Sequence, residues 1–267
     1  MKQLIISIVK LLLTPYARVF TTVFFNFKYL PFQQAKYLPV FIYGPTNIHI
    51  GEQGGVKLTP TYFSPGMVRV GALKSIIWGD KPWMQTVLII DGLFEINGSA
   101  NISNGAIVVV NKGARLSVGH DFHIGPRTKI MCSQSITIGK RASISWESQI
   151  FDTDFHYIVR DNSISNNKKK IIIGDFCWIG NRVSIMKGSV LPNYSIVASN
   201  SVVNKDYSNY GEESLFVGLP AKWKISGVKR LYVAPIIDKE IDNYFEKVQN
   251  ERLSLNSEKA TFIKILK

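Results

Sequence analysis

Near the middle of the chain an aliphatic side chain recurs at every sixth position: Ile173, Ile179, Ile185, Leu191, Val197 and Val203. Four places after each of the first five comes a small or β-branched residue, namely Cys177, Val183, Ser189, Ser195 and Ser201. An α-helix turns about every 3.6 residues and would scatter such a series around its axis. A stack of triangular coils accounts for it. With three six-residue faces per coil, every aliphatic points into the prism at the same height on its face.

The same register runs upstream through Val118, Ile124 and Ile130, slips by two, and resumes at Ile138, Ile144 and Ile150. Earlier still come Ile90, Ile96, Ile102 and Val108, then a further slip before Leu116. Phe94, Ala100, Ala106, Phe122, Thr128, Ala142 and Ser148 are the expected inward companions. Stacking buries a ladder of aliphatics that one hexad could not bury alone, so an all-β solenoid is expected from about residue 88 to residue 205. Residues 151–170, FDTDFHYIVRDNSISNNKKK, break the pattern and are polar. They must loop out from a corner, where a rigid solenoid tends to carry function.

The expected organisation has four parts. Residues 1–30 form an apolar, basic helical extension. Residues 31–87, rich in Pro and Gly, form irregular first coils, with Met67-Val68-Arg69-Val70 as a strand. Residues 88–235 hold the main domain, including the extruded loop. Residues 236–267 form a helical tail in which Ile241, Tyr244, Phe245 and Val248 make a packing stripe.

With 32 Lys and Arg against 19 Asp and Glu, the chain carries a net charge of +13, which suits a polyanionic partner, an anionic membrane face or a phosphate-rich ligand. No helix-turn-helix, zinc-finger or RNP signature accompanies it, and no nucleic-acid partner is expected. Two cysteines, Cys132 and Cys177, make no disulfide framework. In the first 30 residues Lys2, Lys10, Arg18 and Lys28 interrupt every apolar run, which argues against a membrane span. Lys10 and the lack of an A-x-A-like site argue against a signal peptide. Two readings stand: a helix lying on an anionic membrane face, or one packed against protein.

Within the loop, Phe151-Asp152-Thr153-Asp154-Phe155-His156 is the sharpest candidate site. A histidine near neutrality can accept a proton from a hydroxyl or amine nucleophile, and a nearby carboxylate can fix its tautomer. Asp154 and Asp152 are both near in sequence, and either could equally be a turn-forming aspartate. His49 lies among the first coils, and His120 and His123 are expected to face outward.

From Ile138 to Lys222 the chain resembles the hexapeptide-repeat acyltransferases, whose fold is a left-handed parallel β-helix. The nearest likeness is to galactoside and maltose O-acetyltransferases and to the O-acetyltransferases of surface-polysaccharide gene clusters. The matching segments are SITIGKRASISWESQIFDTDFH, IIIGDFCWIGNRVSIMKGSVLPNYSIVASNSVVNKD and GLPAK. The resemblance implies acetyl-CoA as donor, no metal, a homotrimer with active sites between subunits, and His156 as catalytic base. It places Trp178 beside the pantetheine arm, and Asn181, Ser199, Asn204 and Lys205 along the bound CoA. Lys222 would meet the nucleotide phosphates.

The chain also departs from that pattern. The hexad at Ile124–Lys129 lacks the asparagine that helps hold the sugar in the galactoside enzymes, the connection from Asp206 to Gly218 is longer, and the N-terminal extension is more hydrophobic. These departures bear on the acceptor. The expected activity is transfer of an acetyl group to a saccharide hydroxyl in capsule, O-antigen or exopolysaccharide synthesis, in the cytoplasm or at the inner membrane face. The alternatives are N-acetylation of an amino sugar and a non-catalytic scaffold. A solenoid carbonic anhydrase is disfavoured, because it needs three metal-binding histidines and His120, His123 and His156 have the wrong spacing.

Overall fold

A computed structural model describes residues 2–72, 84–232 and 235–247. Met1–Lys229 form one compact unit and Arg230–Lys267 another. In the second unit the helix Pro235–Lys247 carries Ile241, Tyr244 and Phe245 of the expected stripe, while Val248 lies outside the described residues.

The first unit is a parallel β-solenoid with three faces, a nine-stranded, a seven-stranded and a six-stranded sheet. One coil visits them in that order: Phe122–Ile124, then Lys129–Cys132, then Ser135–Ile138, before Ser143–Ile144 begins the next. The six-residue period sets the register. Ile173 pairs with Leu191, Ile179 with Val197 and Ile185 with Val203, so that each coil here consumes 18 residues. All six are at most 1% exposed. The two-residue slip falls at the corner after Cys132 and lengthens the coil below, so that Val118 meets Ile138. The companions Ala142, Thr128 and Ser148 are buried as well, and the hydroxyls of the last two bond the carbonyls of Ser145 and Gly180.

At the corners the backbones of successive coils nearly touch. A Cβ on Gly125 would stand 2.6 Å from the Trp146 nitrogen, and one on Gly180 would stand 2.7 Å from the Ser199 nitrogen. Neither glycine has positive φ. The glycine that directly follows Ile124 and the one that follows Ile179 are there for close approach, not for backbone freedom. Phe176 and Tyr194, one coil apart in left-handed corner positions, stack their rings at 4.8 Å.

The coils begin earlier than residue 88. Val40–Ile42, Thr46–Ile50 and Gly55–Leu58 already form one strand in each sheet, and Val68–Ala72 pairs with the first of them. The N-terminal extension is two helices, Lys2–Leu12 and Val19–Tyr29, with a short turn of helix at Phe32–Ala35. The second helix covers the open edge of the nine-stranded sheet. Buried Asn26 donates to the Val40 carbonyl and accepts from the Val40 N–H, and the Thr22 hydroxyl accepts from Ile42 N–H. An edge strand is thereby satisfied by side chains instead of a further strand. Phe25, Leu30 and Ala35 plug the end of the prism. At the other end Ser214–Val217 and the antiparallel Lys222–Ser226 close the nine-stranded sheet. No described helix is long and apolar enough to cross a membrane.

Candidate active site

The loop leaves the solenoid after Gln149–Phe151 in the seven-stranded sheet and returns at Ile171–Ile173 in the six-stranded sheet. It therefore projects from the edge opposite the nine-stranded face. Its base is pinned. Asp152 is fully buried, and its carboxylate accepts from three successive backbone N–H groups: Ser133 at 2.6 Å, Gln134 at 2.8 Å and Ser135 at 2.8 Å. These three donors belong to the corner opened by the two-residue slip. Asp152, expected as a catalytic carboxylate beside His156, has its oxygens taken up by the corner it holds together. The legs of the loop are zipped by Asp154 N–H to Asn167 O and Lys169 N–H to Asp152 O.

Beyond this zipper Ile158–Arg160 pairs with Ser163–Ser165 as an antiparallel hairpin. Asp161 and Asn162 turn it with φ of 47° and 58°, the pattern of a primed two-residue turn. The signal was present in sequence: Asp-Asn between Ile158-Val159 and Ile164, in a stretch read above only as polar loop.

His156 sits between zipper and hairpin, exposed, with its backbone N–H bonded to the Asp154 carbonyl at 2.7 Å. The Asp154 carboxylate forms an ion pair with Lys187 at 2.6 Å, and Lys187 also donates to the Asn166 carbonyl. Sequence reasoning missed Lys187. It lies one 18-residue coil after Lys169, so coil arithmetic alone would have placed it at the base of the loop. Among the described residues no hydrogen bond links the His156 ring to either aspartate.

The residues expected along CoA fall in separate places on one chain. Asn204 and Lys205 lie at the loop edge, directly after Val202–Val203. Lys205 rests over the Tyr207 and Tyr210 rings at 5.3 and 5.9 Å, and Asn204 accepts from the Tyr207 hydroxyl. Asn181 and Ser199 stack at the edge between the nine- and seven-stranded sheets, joined at 2.5 Å. Trp178 stands on the outer side of the nine-stranded sheet, 40% exposed, with its indole N–H near the Ser145 hydroxyl. Lys222 is exposed on the closing strand opposite Val217.

Burial pushes the thiols of Cys177 and Cys132 up to about 12, with the Asp152 charge adding to the effect on Cys132. Neither is a nucleophile at neutral pH. Among the described residues no group of three or more His, Cys, Asp or Glu could hold a metal ion.

The fold is shared with a crystallised acetyltransferase. In the crystal, the polysialic-acid-specific acetyltransferase NeuO superposes with a TM-score of 0.54 at 20% identity, over 78% of this chain and 94% of that one. In sequence, the chain is 34% identical over 131 residues to an uncharacterized 24.8 kDa protein of the cps region of Klebsiella pneumoniae. It is 30% identical over 102 residues to the polysialic acid O-acetyltransferase of Escherichia coli O1:K1 / APEC. It is 23% identical over 141 residues to WbbJ of Escherichia coli K12, a putative lipopolysaccharide biosynthesis O-acetyl transferase. These matches cover 49%, 37% and 48% of this chain and 57%, 33% and 69% of those proteins, so the chain spans only about half the length of the relatives it matches. No protein-family profile matches it.

Proposed function

We propose that the protein transfers an acetyl group from acetyl-CoA to a saccharide hydroxyl of a surface polysaccharide. The observation that carries this reading is His156, the exposed imidazole of a loop whose base is held rigid by buried Asp152. An imidazole so placed can remove the acceptor hydroxyl proton as the oxygen attacks the thioester carbonyl, and return it to the departing thiolate. The relatives that carry functional names are O-acetyltransferases of polysialic acid and lipopolysaccharide, which favours a hydroxyl over an amine.

The site is completed in a homotrimer. On one chain His156 projects from the edge opposite the face that bears Trp178. A threefold arrangement of parallel prisms sets the loop of each copy against the neighbour's nine-stranded face. The hairpin is suited to that contact, with Tyr157, Ile158, Val159 and Ile164 all more than half exposed. In that groove Trp178 flanks the pantetheine arm. Asn181, Ser199, Asn204 and Lys205 supply polar contacts, and Lys205 and Lys222 supply point charges for phosphates.

A specific observation favours membrane contact as well. The first helix packs Leu4, Ile8 and Leu11 on Leu38, Phe41 and Tyr43, yet leaves Ile5, Ile6, Val9, Leu12 and Leu13 exposed. Phe20, 91% exposed, and Phe24 add exposed aromatic rings on the second helix, with Lys10, Arg18 and Lys28 close by in sequence. Such a surface suits the interface of an anionic bilayer.

The deciding experiment is acetyl transfer from labelled acetyl-CoA to deacetylated capsular or lipopolysaccharide glycan, with wild type and His156→Ala compared. Transfer by wild type and loss in the variant supports the reading; equal transfer by both removes His156 from it.

A further inference from the structure

A cavity of about 550 Å³ opens on the nine-stranded face, well within the size range of small-molecule sites. Its floor is the outer side of the sheet, where Arg69, Asn101 and His123 are lateral neighbours on successive strands. Residues 59–67, stiffened by Pro60 and Pro65, form one wall, the corner at His120 forms another, and Lys10 reaches in from the first helix. No sequence motif pointed to it.

Its lining is basic and polar, with one aromatic ring. The Ser99 backbone N–H lies 3.3 Å from His120 Nδ1. An amide N–H can only donate, so Nδ1 is the acceptor and the neutral ring carries its proton on Nε2. Asn101 Nδ2 bonds His123 Nδ1 at 3.0 Å, which leaves that ring the same tautomer. Tyr62, 70% exposed, offers an aromatic plane with a polar tip. Lys10 and Arg69 are exposed cations. Asp121, the acidic residue of the lining, faces Arg141 at 3.9 Å, so positive charge prevails.

Position links the cavity to the reaction. His123 pairs laterally with Ser143, and Ser143 with Trp178. Two rungs at the usual inter-strand spacing set Trp178 roughly 10 Å from His123 along one face. From this we infer that the cavity holds an acidic sugar residue of the acceptor, flanking the sugar that is acetylated, with Arg69 and Lys10 on its carboxylate and Tyr62 against its ring. The inference rests on the acetyl-transfer reading for its purpose, but not for its binding chemistry.

The test is titration calorimetry of the full chain with tetragalacturonate, with the same oligosaccharide after reduction of its carboxyls, with pyrophosphate and, separately, with coenzyme A. Wild type is expected to bind the acidic oligosaccharide at least about tenfold more tightly than the reduced one, as charge-assisted bonds to a carboxylate require. Arg69→Gln and Lys10→Gln, both on exposed side chains, should each erode that preference, and Tyr62→Ala should weaken both sugars alike, with coenzyme A affinity unchanged. Equal affinity for the acidic and reduced sugars, or a preference that survives in the double variant, overturns the site. Binding of pyrophosphate but not of tetragalacturonate overturns its assignment to a saccharide. Failure of wild type to bind coenzyme A while it still binds tetragalacturonate overturns the acetyl-transfer reading and leaves the site standing.

Discussion

The Asp152 carboxylate accepts the Ser133 backbone N–H at 2.6 Å, 19 positions away in sequence, and this bond joins the root of the histidine loop to the irregular corner of the coil below. Three aligned amides replace the water that burial takes from this carboxylate. Asp152→Ala would leave those amides without an acceptor and should cost about 3 kcal/mol or more. Chemical denaturation measures the loss. A midpoint unchanged from wild type would show that the loop is held by other means.

His156 should behave in the opposite way. The residue is exposed, so His156→Ala should melt within a degree or two of wild type. Loss of a general base should lower turnover by roughly 10²–10⁴-fold. Melting and turnover measured on one preparation separate the two effects.

Ile179 tests the stacking. It is fully buried between Ile144 and Val197 on one ladder. Ile179→Asp would bury an unpaired carboxylate at a cost of several kcal/mol, about what a domain has to spare. A soluble variant with the wild-type melting temperature would contradict the register.

The thiols give a pH prediction. Cys132 and Cys177 are held up to about 12 against an ordinary value of 9.0, so the folded state keeps protons that the unfolded chain gives up. Their contribution to stability is complete below pH 9 and is lost as pH rises from there towards 12. The slope is at most about 1.4 kcal/mol per pH unit for each thiol. Cys177→Ala should show a shallower alkaline decline than wild type in denaturant titrations at pH 9 to 10.5. Neither thiol should react with a disulfide reagent at pH 8 until the protein unfolds.

Membrane contact is best tested by point substitution. Deleting residues 1–30 would remove Phe25 and Leu30 from the core as well as the exposed face. Leu13→Asp and Phe20→Asp alter only exposed positions. They should abolish flotation with anionic liposomes and leave the melting temperature unchanged, and wild-type flotation should weaken as salt rises. No flotation of wild type at low salt would assign this surface to a protein contact.

The six-residue period determined the solenoid, its three faces and the inward set, because only a coil of three short faces returns side chains to the same place at that interval. The histidine loop was legible for the same reason, as the stretch where the period fails. Only the tertiary structure decided what each polar residue of the loop does. Asp152 and Asp154 are two residues apart, yet one is buried on backbone amides of another coil and the other pairs with Lys187. Partners supplied by neighbouring coils are set by corner geometry, which local sequence does not encode. The first helix follows the same logic. Its composition suits lipid and protein equally, and packing against Leu38 and Phe41 settled which side faces protein. The cavity at Arg69, Asn101 and His123 had no motif at all, since its residues come together only when strands more than 20 residues apart lie side by side.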